Sequence, residues 1–527
     1  MKNLLYYSKE IFISFTFHPN NMLFNYLEII RKSKRSQSAL EYMMTYGWAI
    51  LIIVIVAVIL YSMGIFNPSS SITFTSSGFS PFTVSSSLCN NIGYKIAVLA
   101  GPIPNNANSL TINKVYLTSA TGANTTTASY TLTTPVTLKS GQSATILIPN
   151  VACNSANIHY SLSAKIQYSY DVPTIGLQTV NTTGTVAGTS ITGKPSTLTS
   201  YEPITITNTQ SSATPNPFQQ MINFTSSDPG FSSIATGNFG HNVEFFYYNG
   251  TIIPSWLENY TSTNATWWLK IAAISGGSSE TVYVGFVPTS TNLFNTVNDG
   301  EAPQLSSTYA EYDNGANVFN FYENFVGSGL PSGWQELTSS GDTYTWDNGI
   351  SFTNNGHGDY ISIGTTSAVS PAGILELGIT SGSDARPTIE LATTDTQIEG
   401  LLYMYENGYG QAYGMYSGDM QFEILTTSYA YTANSKTAYN APIIEGIAWT
   451  ATGSQLLEIV PNYNYNNMET VSESSTSNSL STHLYVMIGQ APAGSSSNTG
   501  GYTANWLRTR AYPPNGVMPS VTFGSVA

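Results

Sequence analysis

Few side chains in this 527-residue chain have the types and spacing needed for catalysis. Glycosidic hydrolysis needs two carboxylates, and Glu-x-Asp-x-Glu on a strand would supply them, because alternate side chains share a face. No such pattern occurs. The nearest fragment is Glu311-Tyr312-Asp313, in a turn-like segment with no third carboxylate. A Gly-x-Ser-x-Gly elbow for a nucleophilic serine is missing as well. The five histidines, His18, His159, His241, His357 and His483, show neither His-x-x-x-His spacing nor a cysteine pair that would make a zinc site. These observations predict a protein that is not an enzyme and holds no cofactor. The one metal candidate is Ca2+ at Asp342, Asp347 and Asp359, close to Asn348 and Gly358. Calcium takes oxygen ligands from such loops, and the same residue types also simply make turns.

Two cysteines, Cys89 and Cys153, stand 64 positions apart in Asn-rich contexts. In an oxidising compartment they form a disulfide worth roughly 4 kcal/mol of chain entropy; otherwise they are two buried thiols. Six Asn-x-Ser/Thr sequons, at Asn124, Asn181, Asn223, Asn249, Asn259 and Asn264, are candidate glycosylation sites. Four of the six fall between 223 and 264, which favours an exposed surface there.

Charged residues make up only 9% of the chain and aromatics 12%, with 35 Tyr. That composition reads as an ordered, β-rich extracellular protein. Net charge is −14; the first 36 residues carry six basic and two acidic side chains, so the remainder carries −18. So acidic a surface excludes nucleic acid and anionic lipid as partners and leaves glycans, cations or basic proteins.

One element must position everything downstream. Met43 to Phe66 is a run of 24 uncharged, mostly apolar residues. As a helix it spans roughly 36 Å, enough for a hydrocarbon core of about 30 Å. Arg31, Lys32, Lys34 and Arg35 lie just upstream and no basic residue follows until Lys95. The upstream end is therefore expected in the cytoplasm and the rest of the chain outside a single-pass cell membrane. Residues 1–36 are a leader, in which either Met1 or Met22 serves as the start.

The basic cluster followed by Gln37-Ser38-Ala39-Leu40-Glu41 resembles the class III signal peptide of archaeal type IV pilin-like proteins. The resemblance implies cleavage between Ser36 and Gln37 by a membrane prepilin peptidase. It also implies that Glu41 contacts the amino terminus of a neighbouring subunit and that the helix 37–66 can assemble. Ala39 and Ser36 depart from the family's usual Ser and Gly. The alternative is an uncleaved signal anchor with Glu41 at the membrane interface.

Beyond the helix the texture is that of strands. Tyr160 to Tyr170 alternates apolar and polar over eleven residues, the mark of a half-buried strand. Thr111–Leu117 and Ala144–Ile148 also read as strands, and together they predict an Ig-like β-sandwich over 69–192. A Gly/Thr/Ser-rich linker is expected at 193–200. Tyr201-Glu-Pro-Ile-Thr-Ile-Thr-Asn208, Pro254-Ser-Trp256, Trp267-Trp268-Leu-Lys270 and Val284-Gly-Phe286 occur in the order found in an uncharacterised β-sandwich domain of prokaryotic surface proteins, which 201–313 resembles. Trp256, Trp267 and Trp268 read as core or rim aromatics, with ligand platforms as the alternative. Phe321 to Trp334 resembles the opening, and Asn505 to Gly524 the closing strands, of a concanavalin-like lectin or glucanase jelly roll over 314–527.

The expected fold is thus mainly β: one transmembrane helix, an Ig-like sandwich, a second sandwich and a jelly roll. The expected function is a membrane-anchored, pilin-like adhesin or minor pilus subunit that binds a surface or glycan through its distal domains. The alternative is a monomeric anchored glycan-binding protein or a glycoside hydrolase relative.

Overall fold

The computed structural model describes residues 46–47, 50–56 and 74–527, except 124–128, 150, 154, 354, 357–358, 368–372, 384–386, 393–409, 413–419, 425–430, 436–441, 450–453, 475–484 and 491–499. Residues 46–47 and 50–56 are helical, with apolar side chains exposed from Ile50 to Val56. Among the described residues no helix is long and apolar enough to cross a membrane. Ser36, Gln37, Glu41 and most of the expected span lie outside them.

The described remainder is mainly β and divides near Ile191 into two compact units. The first is a two-sheet sandwich. One sheet orders its strands as Thr75–Gly78, Gly176–Thr189, His159–Val172, Leu110–Thr121 and Ser129–Leu138; the other is Phe82–Cys89, Tyr94–Ala100 and Ser143–Ile148. The alternation over 160–170 is realised: Tyr160, Leu162, Ala164, Ile166 and Tyr168 are buried in the core between the sheets. The strand order differs from the four-plus-three arrangement of an Ig domain, because the first strand pairs with the last. Cys89 and Cys153 form a disulfide with Cα atoms 5.5 Å apart.

The second unit, running from Thr192 onward, holds two sandwiches. In the first of them, Phe218–Thr225, Asn264–Ile271, Ser255–Tyr260 and Asp299–Glu301 form one sheet. Val243–Tyr247, Ser278–Phe286, Ser200–Asn208 and Ser520–Phe523 form the other. The last of these strands corrects the expected domain boundaries. The Pro513–Gly524 stretch does not close the jelly roll. Past a turn at Asn515 and Gly516, both at positive φ, the chain crosses back and hydrogen-bonds to Ser200–Asn208. The Phe523 ring packs tilted against Phe224, with centroids 4.5 Å apart, so residues 201–313 complete their core only with the C-terminal strand. Nor is 193–200 a free linker. Leu198 is buried against Gly285, and Thr199 N donates to Phe286 O.

The second sandwich packs two sheets around Phe325, Trp346, Leu375, Leu377, Ile447, Ile488 and Leu507. The larger sheet runs Thr343–Trp346, Ile350–Thr353, Gly501–Arg510, Gly373–Ser383, Ile443–Trp449, Ser454–Pro461 and Glu469–Ser474. The smaller runs Trp334–Ser340, Tyr360–Thr365, Tyr485–Gln490, Pro387–Ala392 and Gly410–Ala412. The expected opening segment, Phe321–Glu323, pairs with the expected closing strand, Gly501–Arg510.

Candidate functional site

Carboxylates do gather in the second unit, but not where acid–base work is possible. Along Gly501–Arg510, Trp506, Arg508 and Arg510 alternate and so share one face. Arg508 is in register with Glu376, Glu376 with Gly446, and Gly446 with Glu458, a single row across four strands. Gly446 keeps this row open. A Cβ there would meet Glu376 at 3.3 Å and Glu458 at 3.4 Å. Arg508 Nε donates to Glu376 at 2.6 Å; Arg510 donates to Glu376 at 3.0 Å and to Glu458 at 2.7 Å.

The other sandwich covers this row. Trp256 and Trp268 sit opposite one another on its outer sheet face, and Glu258, two residues along the strand from Trp256, points the same way before the register shift that pairs Asn259 with Thr266. Glu258 accepts from Arg508 at 2.5 Å, Trp268 Nε1 at 2.8 Å and Tyr465 OH at 3.1 Å. The Arg508 guanidinium lies 4.4 to 5.3 Å from the ring centroids of Trp256, Trp268, Phe319 and Trp506, a cation–π cage. Gly378 allows the close approach of Trp506, whose ring a Cβ would meet at 2.2 Å. Burial opposes charge on every carboxylate here. The two arginines nevertheless hold Glu376 below the ordinary range, while burial outweighs them at Glu258 and Glu458 and raises both. Three carboxylates against two guanidiniums, shut away from solvent, make an interior contact between sandwiches and leave no room for a substrate.

Of the fragment that came nearest to a catalytic pattern, Asp313 is saturated. It accepts from Trp256 Nε1, Tyr322 OH, Asn324 Nδ2 and Gly315 N, all within 3.1 Å. Glu311 is exposed. Asp299 and Glu301 are buried in the same sandwich, and burial pushes their carboxyls up to about 8 and about 7. Trp267 points into its own core, so the three tryptophans divide between core and sandwich contact.

An open pocket of about 470 Å³ remains at the edge of the second sandwich. It is lined by Phe321, Glu323, Val326, Pro331, Trp334 and Thr365, among others. Trp334 Nε1 donates to Glu323 Oε2 at 3.0 Å, and Phe325 N to Oε1 at 3.1 Å. Burial raises the Glu323 carboxyl against those two bonds. Val326 is exposed, and the turn reaches Trp334 through Gly327, Gly329 and Gly333 at positive φ.

The remaining expected residues scatter. Asp342 and Asp359 come together, whereas Asp347 sits apart, in a turn bridged to Ser328. Burial pushes the Asp342 carboxyl up to about 6. His159 binds Gly188 O through Nδ1 and His241 packs on Phe294; His18, His357 and His483 lie outside the described residues, as do Gly358 and Asn124. Asn181 and Asn249 are exposed. Asn223 and Asn259 flank Thr266 on neighbouring strands, with Asn264 two residues along, so three sequons share one sheet face. Sequence reasoning missed the buried ion network. Its only local trace is Arg508-x-Arg510 inside an otherwise apolar strand.

No known family profile matches the chain. It is 27% identical over 351 residues to an uncharacterised protein, number 562, of Sulfolobus islandicus rod-shaped virus 1, a match covering 62% of this chain and 59% of that protein. The chain thus spans well under two thirds of that relative's length. Among solved structures it resembles a legume lectin-like domain from Entamoeba histolytica, with 13% identity and a TM-score of 0.27 over 34% of this chain and 90% of that one. It also resembles the apo Crh5 transglycosylase, with 12% identity and a TM-score of 0.26 over 37% and 85%.

Proposed function

We propose that this is a non-enzymatic surface protein, anchored by the helix 37–66, that binds a glycan at the edge pocket of its second sandwich. The observation that carries the reading is the pocket itself. The half-buried Phe321 offers aromatic surface for the C–H face of a sugar, the largely buried Trp334 lines the pocket beside it, and the half-buried Glu323 offers oxygens for its hydroxyls. The larger sheet supports a binding role over a catalytic one, because its outward carboxylates are consumed by Arg508 and Arg510.

The test is a glycan array with the full chain in detergent. Glu323→Gln, and Ser332→Trp to fill the cavity, should each weaken any bound glycan at least ten-fold, about 1.4 kcal/mol. Absence of binding across the array, or binding unchanged by both substitutions, refutes the pocket assignment. Release of reducing sugar would favour the hydrolase alternative. Assembly through Glu41 after cleavage before Gln37 is a separate part of the proposal. Amino-terminal analysis of membrane-bound protein checks it, and residues upstream of Gln37 on the mature chain would exclude it.

A further inference from the structure

The five-stranded sheet of the first unit has two edges, and only one of them is blunted. At the Ser129–Leu138 edge the pairing with Leu110–Thr121 breaks between Val136 and Thr131, around Pro135. Proline and an interrupted ladder keep an edge strand from taking a further neighbour. The Gly176–Thr189 strand has neither guard. It pairs with His159–Val172 over its whole length of 14 residues without a register shift, and it contains no proline and no charged residue. Thr75–Gly78 covers only Gly184 to Ala187 of its outer side.

The stretch before Gly184 is therefore an open edge. Phe79 N donates to Thr183 O, so Thr183 turns its backbone groups away from His159–Val172. Successive residues of an antiparallel strand alternate in this respect, and Leu177, Thr179 and Asn181 turn theirs outward as well. Among the described residues no strand pairs with these three on that side, and no backbone hydrogen bond closes it. Gln178 Nε2 approaches Leu177 O at 3.3 Å, a long bond within the same strand. The side chains of Leu177, Thr179, Asn181 and Thr183 are exposed, and so is Ile175 in the turn before them. On the other face Val180 packs against the core and Thr182 is buried, which holds the strand in place.

We propose that this edge pairs with the same edge of a second copy of the chain, antiparallel, about a two-fold axis at Thr179. The outward groups prescribe that register, because 177, 179 and 181 are symmetric about 179. Thr179 then meets the partner's Thr179, and Leu177 meets the partner's Asn181. Each such pair exchanges two N–H···O bonds, which joins the two sheets into one. A two-fold contact needs a self-complementary surface, and an uncharged strand supplies one, since no like charges are set opposite each other. The acidity of the chain falls outside this unit: between Thr75 and Ile191 the one acidic residue is Asp171, against Lys95, Lys114, Lys139 and Lys165. So short an edge buries less than a standard interface, and the pairing is weak unless the copies are concentrated locally. Asn181 is also a sequon, and a glycan there would crowd the partner's Leu177, so the pairing requires Asn181 unmodified. The contact is independent of the glycan pocket and of assembly through the helix.

The experiment is disulfide trapping of the full chain in detergent. The two native cysteines are bonded to each other, so Thr179→Cys supplies the one free thiol. At the axis its Cα lies about 5.5 Å from its copy, within disulfide reach. Leu177→Cys and Asn181→Cys each lie roughly 13 Å from their own copy but about 5.5 Å from one another across the axis. Mild oxidation should trap a Thr179→Cys dimer about ten times faster than a dimer of either other variant alone, and mixing those two should restore the fast rate. All three positions are exposed, and an unchanged Tm checks that each variant is folded. The proposal is overturned by any of three results. One is equal trapping of the three variants alone, meaning random collision or contact through the helix. Another is no trapping of Thr179→Cys in the most concentrated sample. The third is a mature protein whose Asn181 carries a glycan in every copy, read by mass spectrometry.

Discussion

Two glutamates in the larger sheet of the second sandwich show how one burial can have two consequences. Glu376 and Glu445 lie on adjacent strands, one register step apart: Glu376 faces Gly446 and Leu377 faces Glu445. Both are wholly buried. They point to opposite sides of the sheet. Glu376 meets Arg508 and Arg510 and stays ionised. Glu445 shares the face of Leu377 in the apolar core, and neither of its oxygens finds a hydrogen bond. Burial drives its carboxyl well above the ordinary range, which favours the neutral form. Depth alone therefore does not set the direction of the shift; the balance of burial against the charge within reach does, and at Glu258 and Glu458 burial still prevails.

The largest expected effect comes from removing the charge that separates the two cases. Arg508→Ala leaves Glu258 and Glu376 without their shared partner and opens a gap inside the cage of Trp256, Trp268, Phe319 and Trp506. A loss of about 3–5 kcal/mol is expected, read by denaturant unfolding of the full chain. A change below 1 kcal/mol would show that the network is not sealed from water.

Next in size are the neutral substitutions of the two acids, which should differ in sign. Glu376→Gln gives up charge-assisted bonds to two guanidiniums and should cost about 1.5–3 kcal/mol. Glu445→Leu removes an unpaired polar group of similar volume from the core and should stabilise by about 1–3 kcal/mol at pH 7. Equal signs would break the comparison.

The smallest effect, and the most diagnostic, is in the pH profile of Tm. The folded-state pKa of Glu376 is depressed, so its contribution is present above the unfolded value near 4.5 and is lost as pH falls through the folded one. The folded-state pKa of Glu445 is raised, so its contribution is present below the unfolded value and is lost as pH rises through the folded one. Glu376→Gln should flatten the acid limb only, and Glu445→Leu only the decline on the alkaline side. Glu202, raised to about 7 by burial, adds to that decline between about pH 4.5 and 7, as Glu301 does. Glu445→Leu will therefore reduce the slope without removing it.

Legibility followed sequence distance. The strand at 160–170 could be read residue by residue because the pleat repeats every two residues, and the buried set is the one the alternation marks. Trp256, Trp267 and Trp268 were legible as interior aromatics, yet nothing local says that Trp267 fills one core while its neighbour cages an arginine. Asp342 and Asp359 could be picked out by type, but only the fold separates them from Asp347. Ser520–Phe523 reads as a strand from its composition, but the sheet it joins depends on a turn at Asn515-Gly516 and on the Phe224 surface nearly 300 residues upstream.

By itself, the sequence determined that the described chain beyond residue 73 is built mainly of strands, which segments form several of them and which faces are apolar. Those are properties of neighbours two residues apart, and the pleat converts them directly into structure. Tertiary structure alone decided the direction in which the carboxyls of Glu258, Glu376, Glu445 and Glu458 are shifted, the sharing of the C-terminal strand and the covering of the larger sheet. Each of these depends on what desolvates a group and on which opposite charge lies within a few ångströms. Glu258, Glu376, Glu458 and Arg508 reach that distance from points as much as 250 residues apart.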